Sequence, residues 1–364
     1  MGSVCLLGIL PVVLLVMFVL AAHHTGALNA DFKRSLWQAG RDLLHGHSPY
    51  GSASDLDPLE TDRALYPPIF IMLGLPLAVL PWAIASTIWD VLLLGAVVAA
   101  LWILGVRDWR CYGIVAVSWP VLLGLTFGNV SLLLVLGVAA VWVWRDRPVR
   151  VAATVALLVA VKVFLWPLLV WLFLTRRYRA GVLSAVGLVA ALILPWAIIG
   201  FEGMREYPSL LDSHTKLWGA HSLSVYGAAI SAGFSPSTAK LAGELLAVLL
   251  VGAAALYSRR AGTDRHSLSL VILAAIASSP IVWQHYFAML IVVVALAQPR
   301  LGWLWAAFPA MWLILLHAPS GNQVVNGYQR VVVYAIVAAT VWAALRHRPE
   351  ASAGRQIDEF GQFV

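Results

Sequence analysis

The sequence predicts an all-α, polytopic integral membrane protein, and three observations carry that reading. Apolar residues make up 61% of the chain and charged residues only 11%, where soluble domains carry about 25% charged residues. Mean hydropathy is +0.86. Apolar runs approaching the ~20 residues needed to cross a hydrocarbon core recur along the whole length, with polar loops between them. The net charge of +7 is no sign of a nucleic-acid partner, because the basic residues fall in short clusters beside apolar runs, where positive-inside topology puts them. The 17 tryptophans suit anchoring at the two membrane interfaces. Cys5 and Cys111 lie far apart, in or next to apolar segments, and are expected as free thiols rather than a disulfide.

The first apolar run, Val4–Ala22, lacks a basic leader and is longer than a signal-peptide core, so it reads as an uncleaved first helix. The polar stretch His23–Pro68 follows and organises the rest. It holds Asp31, Asp42, Asp55, Asp57, Glu60 and Asp62 together with His23, His24, His45 and His47. Asn29 is placed to cap a helix whose first turn carries Asp31, an acid that suits the helix dipole. Phe32, Leu36, Ala39 and Leu43 recur at helical spacing opposite Lys33, Arg34 and Arg41, the pattern of a short amphipathic helix lying in the interface. Gly46 and Pro49 end it, and Tyr66-Pro67-Pro68 leads back into the membrane.

Ile69–Val106 is punctuated by Pro76 and Pro81 and reads as two short spans, or one span plus a re-entrant piece. Cys111–Phe127, a turn at Gly128-Asn129-Val130-Ser131, and Leu132–Trp144 come next. Lys162 interrupts the following apolar run, and Pro167 predicts a break near it. Gly181–Ile199 precedes a second long polar loop, Gly200–Pro236, and five further runs reach Leu345. The arginine-rich loops at 145–150, 176–179 and 259–265 are placed inside, and the two long loops outside. Loop counting gives about 12 spans. The expected organisation is one transmembrane unit over residues 1–346, with 23–68 and 200–236 as its outer loops and 347–364 as a disordered cytoplasmic tail.

Several residue groups have both a chemical and a bland reading. Asp31 is a general base at the membrane surface, or simply an N-terminal carboxylate worth ~0.3–1 kcal/mol to its helix. Asp55-Leu-Asp57 is a divalent-cation pair, or an Asx turn before Pro58; His45-Gly-His47 is likewise a ligand pair or ordinary loop. Lys162 within an apolar run costs ~2.5–3.5 kcal/mol on insertion scales and reads as functional by default, pairing with an anionic lipid headgroup, unless it snorkels to an interface. Trp283-Gln284-His285 combines an imidazole that titrates near neutrality with an indole able to pack on a sugar, or is part of an aromatic belt. His221-Ser222 is a weaker pair in the second loop.

The ordered set of these pieces resembles glycosyltransferase family 87, polyprenyl-phosphate-sugar-dependent enzymes of the GT-C superfamily common in actinobacteria. The resemblance rests on Asp31-Phe32 with the downstream Ala-Gly-Arg-Asp-Leu-Leu-His-Gly-His-Ser-Pro49-Tyr50, on Tyr66-Pro67-Pro68, and on Pro76 through Trp82. It continues through Gly128-Asn129-Val-Ser-Leu-Leu, Lys162 with Pro167, Arg176-Arg-Tyr-Arg179 and Ser279-Pro-Ile-Val-Trp-Gln-His285. The sequence departs from the family at Asn129, where Gln is usual, at His221-Ser222, where Asn or Gln often precedes Ser, and in the longer gap from Lys162 to its Pro.

The resemblance implies a GT-C-like fold and transfer of a hexose, mannose first, from a polyprenyl-phosphate donor to a glycolipid or polysaccharide hydroxyl, with inversion, on the extracytoplasmic face of the cell membrane. It implies Asp31 as general base, Lys162, His285 and Gln284 at the donor phosphate, and Tyr66, Pro67, Asn129, His221, Ser222 and Trp283 around the substrates. No cofactor is expected, and a divalent metal is not favoured, since phosphate leaves without acid help. An arabinofuranosyltransferase of the same fold is the nearest alternative. A lipid or small-molecule transporter is the alternative from another class, and neither an internal repeat nor a midplane charge pattern beyond Asp90, Glu244 and Lys162 supports it.

Overall fold

A computed structural model of the chain describes residues 5–24, 28–50, 65–260, 262–317 and 325–347. Among these every regular element is helical. The Asp55-Leu-Asp57 turn and the tail beyond His347 lie outside the described residues.

The first helix, α1 (Leu10–His24), follows a π-helical turn at Cys5–Ile9. It leaves Val12, Val16, Met17 and Leu20 exposed, an apolar surface suited to lipid rather than water. The interfacial helix forms as its periodicity predicts, in one continuous piece: Ala30–Phe32, a π-helical stretch Lys33–Gln38, and Ala39–Leu44. Phe32, Leu36 and Ala39 are buried while Lys33, Arg34 and Arg41 are exposed. Gly46, at φ 77°, supplies the left-handed residue that ends it.

Asn29 does not cap this helix through its side chain. It adopts a left-handed conformation (φ 60°) with no capping hydrogen bond, and its amide donates to Asp90 Oδ2 at 3.1 Å. A carboxylate inside an apolar span has few possible partners, so the tertiary bond to Asp90 wins over the local cap.

The long run Ile69–Val106 resolves into a short helix, α2 (Pro68–Ala78), and a full span, α3 (Trp82–Ile103), separated at Leu80-Pro81. At 1.5 Å per residue α3 is about 33 Å long, enough to cross a hydrocarbon core. Cys111–Phe127 likewise splits, into α4 (Trp109–Ala116) and α5 (Trp119–Thr126), with Pro120 in the first turn of α5. Then come α6 (Ser131–Val143), α7 (Pro148–Val161), α8 (Pro167–Leu174) and α9 (Tyr178–Ile198). The second polar loop is largely helical, containing α10 (Tyr207–Trp218) and α11 (Val225–Ser231). The chain continues through α12 (Pro236–Ser258), α13 (Asp264–Ser278), α14 (Leu290–Ala297) and α15 (Gly327–Arg346).

Among the described residues four helices are long and apolar enough to cross a membrane: α3, α9, α12 and α15. The other apolar runs of the described residues form shorter helices, several opened by a proline whose missing N–H suits a first turn. Packing sorts these helices into an inside and an outside. Every residue of α14 is buried. By contrast α9 exposes Val186, Val189, Leu194 and Ile198, and α12 exposes Leu245, Leu249 and Leu256. Such faces are stable only against hydrocarbon.

Three of the arginine-rich loops come together. Arg177 donates to Asp146 Oδ1 at 2.8 Å and to Asp264 Oδ2 at 2.9 Å, clasping three of the basic loops together. Just after α5 the decisive turn is Gly128, at φ +62°, where a Cβ would run into Asn29 Oδ1 and the Phe32 side chain. Gly128→Ala is therefore expected to destabilise the protein by ~1–2 kcal/mol for the left-handed backbone alone. The crowding adds to this, read as a lowered thermal midpoint in detergent or nanodiscs.

Candidate active site

The site is assembled from the first polar loop, the α5–α6 turn, the α7–α8 break and the segment before α14. The N–H groups of Asn29 and Asp31 donate to the carbonyls of Thr126 and Phe127 at 2.6 and 2.9 Å. Phe32 stacks on Trp89 with ring centroids 4.7 Å apart, and Trp89 Nε1 donates to the Gly128 carbonyl at 2.8 Å. A strand-like pairing of backbone, an aromatic stack and a buried indole bond thus fix the start of the interfacial helix against α3 and α5.

Asn129 then aims at Asp31. Its Oδ1 accepts from the Ser131 N–H at 3.0 Å and from Ser131 Oγ at 2.7 Å. With the carbonyl end so engaged, the amide can present only its Nδ2, which donates to Asp31 Oδ2 at 2.6 Å. The Asp31 side chain is half-buried at its own surface and walled by protein beyond it. Burial pushes its carboxyl above the ordinary carboxylate range, while the Asn129 bond and then the Lys162 and Arg34 charges pull it back. Lys162 therefore acts on the same carboxyl group from a distant part of the chain.

Lys162 stands where α7 ends. Its backbone is extended (φ −138°, ψ 97°), and a 3₁₀ turn, Val163–Leu165, leads to Pro167, which is the break the sequence predicts. Its Nζ donates to the Tyr286 hydroxyl at 3.2 Å and lies 4.3 Å from the Tyr66 ring centroid and 5.4 Å from that of Tyr286. Among the described residues no carboxylate lies within ion-pair distance of it. An aromatic cage satisfies an ammonium without neutralising it, so the charge remains available to an anion.

The loop that carries Tyr66 is tied down in turn. Tyr50 donates its hydroxyl to the Tyr66 carbonyl at 2.8 Å and Tyr207 to the Leu65 carbonyl at 2.9 Å. Pro67 and Pro68 are buried and open α2. Burial raises the Tyr66 phenol to about 12, against the opposing pull of Lys162, so it stays a neutral wall. His285 is buried with its ring 5.1 Å from Tyr286 and its Nε2 without a hydrogen-bond partner.

Other expected residues fall differently. Gln284, Trp283 and His221 are half-buried, while Ser222 is fully buried and turns its hydroxyl inward, to the Gly219 carbonyl at 2.9 Å and Ser224 Oγ at 2.8 Å. His45 and His47 are exposed, with His45 Nδ1 2.7 Å from the Arg41 carbonyl. Glu244 is exposed on α12. Among the described residues no three His, Cys, Asp or Glu side chains group as a metal site.

His214 and Tyr207 were not expected here. Both lie on α10, in a loop whose polar composition hides its helix. Burial, then the Lys162 charge, lowers the His214 imidazole to about 4, so it is neutral near pH 7. The only sequence signal for them is the amphipathic spacing of α10.

A family model for glycosyltransferase family 87 matches residues 64–283. The chain belongs to glycosyltransferase family 87. The matched stretch takes in Tyr66, Pro67, Asn129, Lys162, His221, Ser222 and Trp283, and stops short of Gln284 and His285 at one end and Asp31 at the other. No curated protein and no solved structure matches the chain.

The environment of Asp31 makes its titration a test of the geometry. A base works ionised, and burial raises this carboxyl, so activity should rise with pH through a value above the ordinary carboxylate range and fall away below it. Asn129→Leu removes the bond that favours the carboxylate. The acidic limb of the kcat profile should then move to still higher pH. An unmoved limb would show that the carboxyl is not what titrates.

Proposed function

We propose that this glycosyltransferase moves a hexose, mannose first, from a polyprenyl-phosphate donor to a hydroxyl of a glycolipid or polysaccharide on the extracytoplasmic face of the cell membrane. The observation that carries the reading is that the Asp31 carboxyl, held by Asn129, lies within the field of the Lys162 ammonium, with which no carboxylate of the described residues pairs. In this reading the acceptor oxygen gives its proton to Asp31 as it attacks the anomeric carbon, a contribution of roughly 10²–10⁴-fold. The carbon–oxygen bond to the phosphate breaks on the opposite face, which inverts the configuration. The leaving polyprenyl phosphate gains charge, and Lys162 stabilises it electrostatically.

His285, whose Nε2 has no hydrogen-bond partner among the described residues and lies beside Tyr286, completes the donor end, and Gln284 stands next to it at the edge of the far wall. Tyr66, Pro67 and Asn129 shape the pocket, His221 and Trp283 belong to its far wall, and the buried Ser222 supports that wall from behind. The reaction as proposed calls on no metal, because phosphate is already a good leaving group and Lys162 supplies the countercharge. The fold reading extends in the same way to a GT-C-like unit over residues 1–346 with about 12 crossings, in which short proline-opened helices complete spans in pairs around the four long ones.

The test is transfer from radiolabelled polyprenyl-phosphate mannose, and separately the arabinose analogue, in membranes containing the protein. Asp31→Asn keeps the shape and removes the base, and should lower transfer by 10²-fold or more with expression intact. Wild-type transfer by that variant would take Asp31 out of the mechanism. Lys162→Gln should depress kcat or raise the donor KM at least tenfold and, by removing a charge that favours the Asp31 carboxylate, should also move the acidic limb of the pH profile to higher pH.

A further inference from the structure

A second wall lies one 3₁₀ turn from the Lys162 cage. Tyr286 N donates to the Trp283 carbonyl at 3.0 Å, so Trp283 sits about 6 Å along the helix axis from the tyrosine that holds Lys162. Trp283 meets Trp218 edge-on, with centroids 6.2 Å apart, and Trp218 meets His221 at 6.5 Å. All three rings are half-buried. Among the described residues neither indole N–H, nor the His221 ring, nor the Gln284 amide has a hydrogen-bond partner.

The wall is rigidly backed. The Leu223 N–H donates to the Val282 carbonyl at 2.8 Å, joining its two segments. The buried Arg330 donates from Nε, Nη1 and Nη2 to the Ser222 carbonyl, Ser231 Oγ and the Ala220 carbonyl at 3.2, 2.6 and 2.5 Å. Tyr334 shares its hydroxyl between the Leu223 and Ser224 carbonyls at 3.1 and 2.9 Å. An interfacial belt needs tryptophans facing headgroups, not a pair braced by a buried guanidinium beside a cation site.

We infer that Trp218 and Trp283, with His221 and Gln284 at their edge, form an acceptor subsite for an uncharged hexopyranose ring. The inference rests on the transferase reading above and names the acceptor it takes. A pyranose has an apolar C–H face and a rim of hydroxyls. The wall offers two indole bodies for the face and unspent N–H, imidazole and amide groups for the rim. Neither the 218–224 nor the 280–284 segment carries a carboxylate, lysine or arginine, which fits a neutral sugar and gives a phosphate no partner there. The neighbouring Lys216 is paired with Asp212 at 2.8 Å.

The test is saturation-transfer-difference NMR on the full chain in lipid nanodiscs, with methyl α-mannobioside and methyl β-cellobioside as probes and empty nanodiscs as blank. Ring protons of at least one sugar should receive saturation from the wild type. Trp218→Ala and Trp283→Ala should each cut it at least fivefold, while Trp283→Phe, which keeps an aromatic face and the fold, should retain about half. Saturation reads sugar binding at the wall and the Asp31→Asn transfer assay reads chemistry, so a failed base assignment and a failed subsite are told apart. No saturation of either sugar by the wild type, or undiminished saturation in both alanine variants, overturns the subsite.

Discussion

The structure depends on how an acid is held where water is scarce. A carboxylate removed from bulk solvent is stabilised only by directed hydrogen bonds and nearby opposite charge, and Asp31 has both: the Asn129 amide at 2.6 Å and the field of Lys162. Neither partner is close in sequence. Bringing them together requires the interfacial helix to dock on the α5–α6 turn, and the backbone bonds from Asn29 and Asp31 to Thr126 and Phe127 make that docking specific. The left-handed Gly128 beneath them leaves the space those contacts occupy.

The same economy governs the cation. Lys162 ends α7 and is caged by Tyr66 and Tyr286 rather than paired with an acid. An aromatic cage offers attraction through the ring quadrupole without a full negative charge, which is the condition for binding a phosphate that arrives and departs. Asp31 and Lys162 are close enough to feel each other and remain unpaired. A direct salt bridge would satisfy both and leave nothing for a substrate.

Much of this was legible in the sequence, for physical reasons that differ by element. The interfacial helix showed because its apolar period matches 3.6 residues, and the α7–α8 break because Pro167 forbids a continuous helix. Lys162 stood out because an ion in an apolar run has few uses. Asn29 misled because local capping rules do not see Asp90, sixty-one positions away. Tyr207 and His214 were invisible because the Gly200–Pro236 loop reads as polar while α10 packs inside it. The role of Arg330 was hidden too: its partners are backbone carbonyls, and no side-chain pattern records those.

The family-matched stretch ends at residue 283 and begins at 64, and the proposed base and the brace of the far wall lie on either side of it. Asp31 enters from the N-terminal loop, and Arg330 and Tyr334 enter from the last helix. The matched segment contributes the cation, the Tyr66 side of its cage and the turn that receives Asp31, while Tyr286, the other side of the cage, lies just beyond it. The flanking segments contribute Asp31 and the support for the Trp218–Trp283 surface. That division suits the energetics: a charge is held away from bulk water only where neighbouring helices supply its partners, whereas Asp31 reaches the same space from a helix whose other face is polar and exposed.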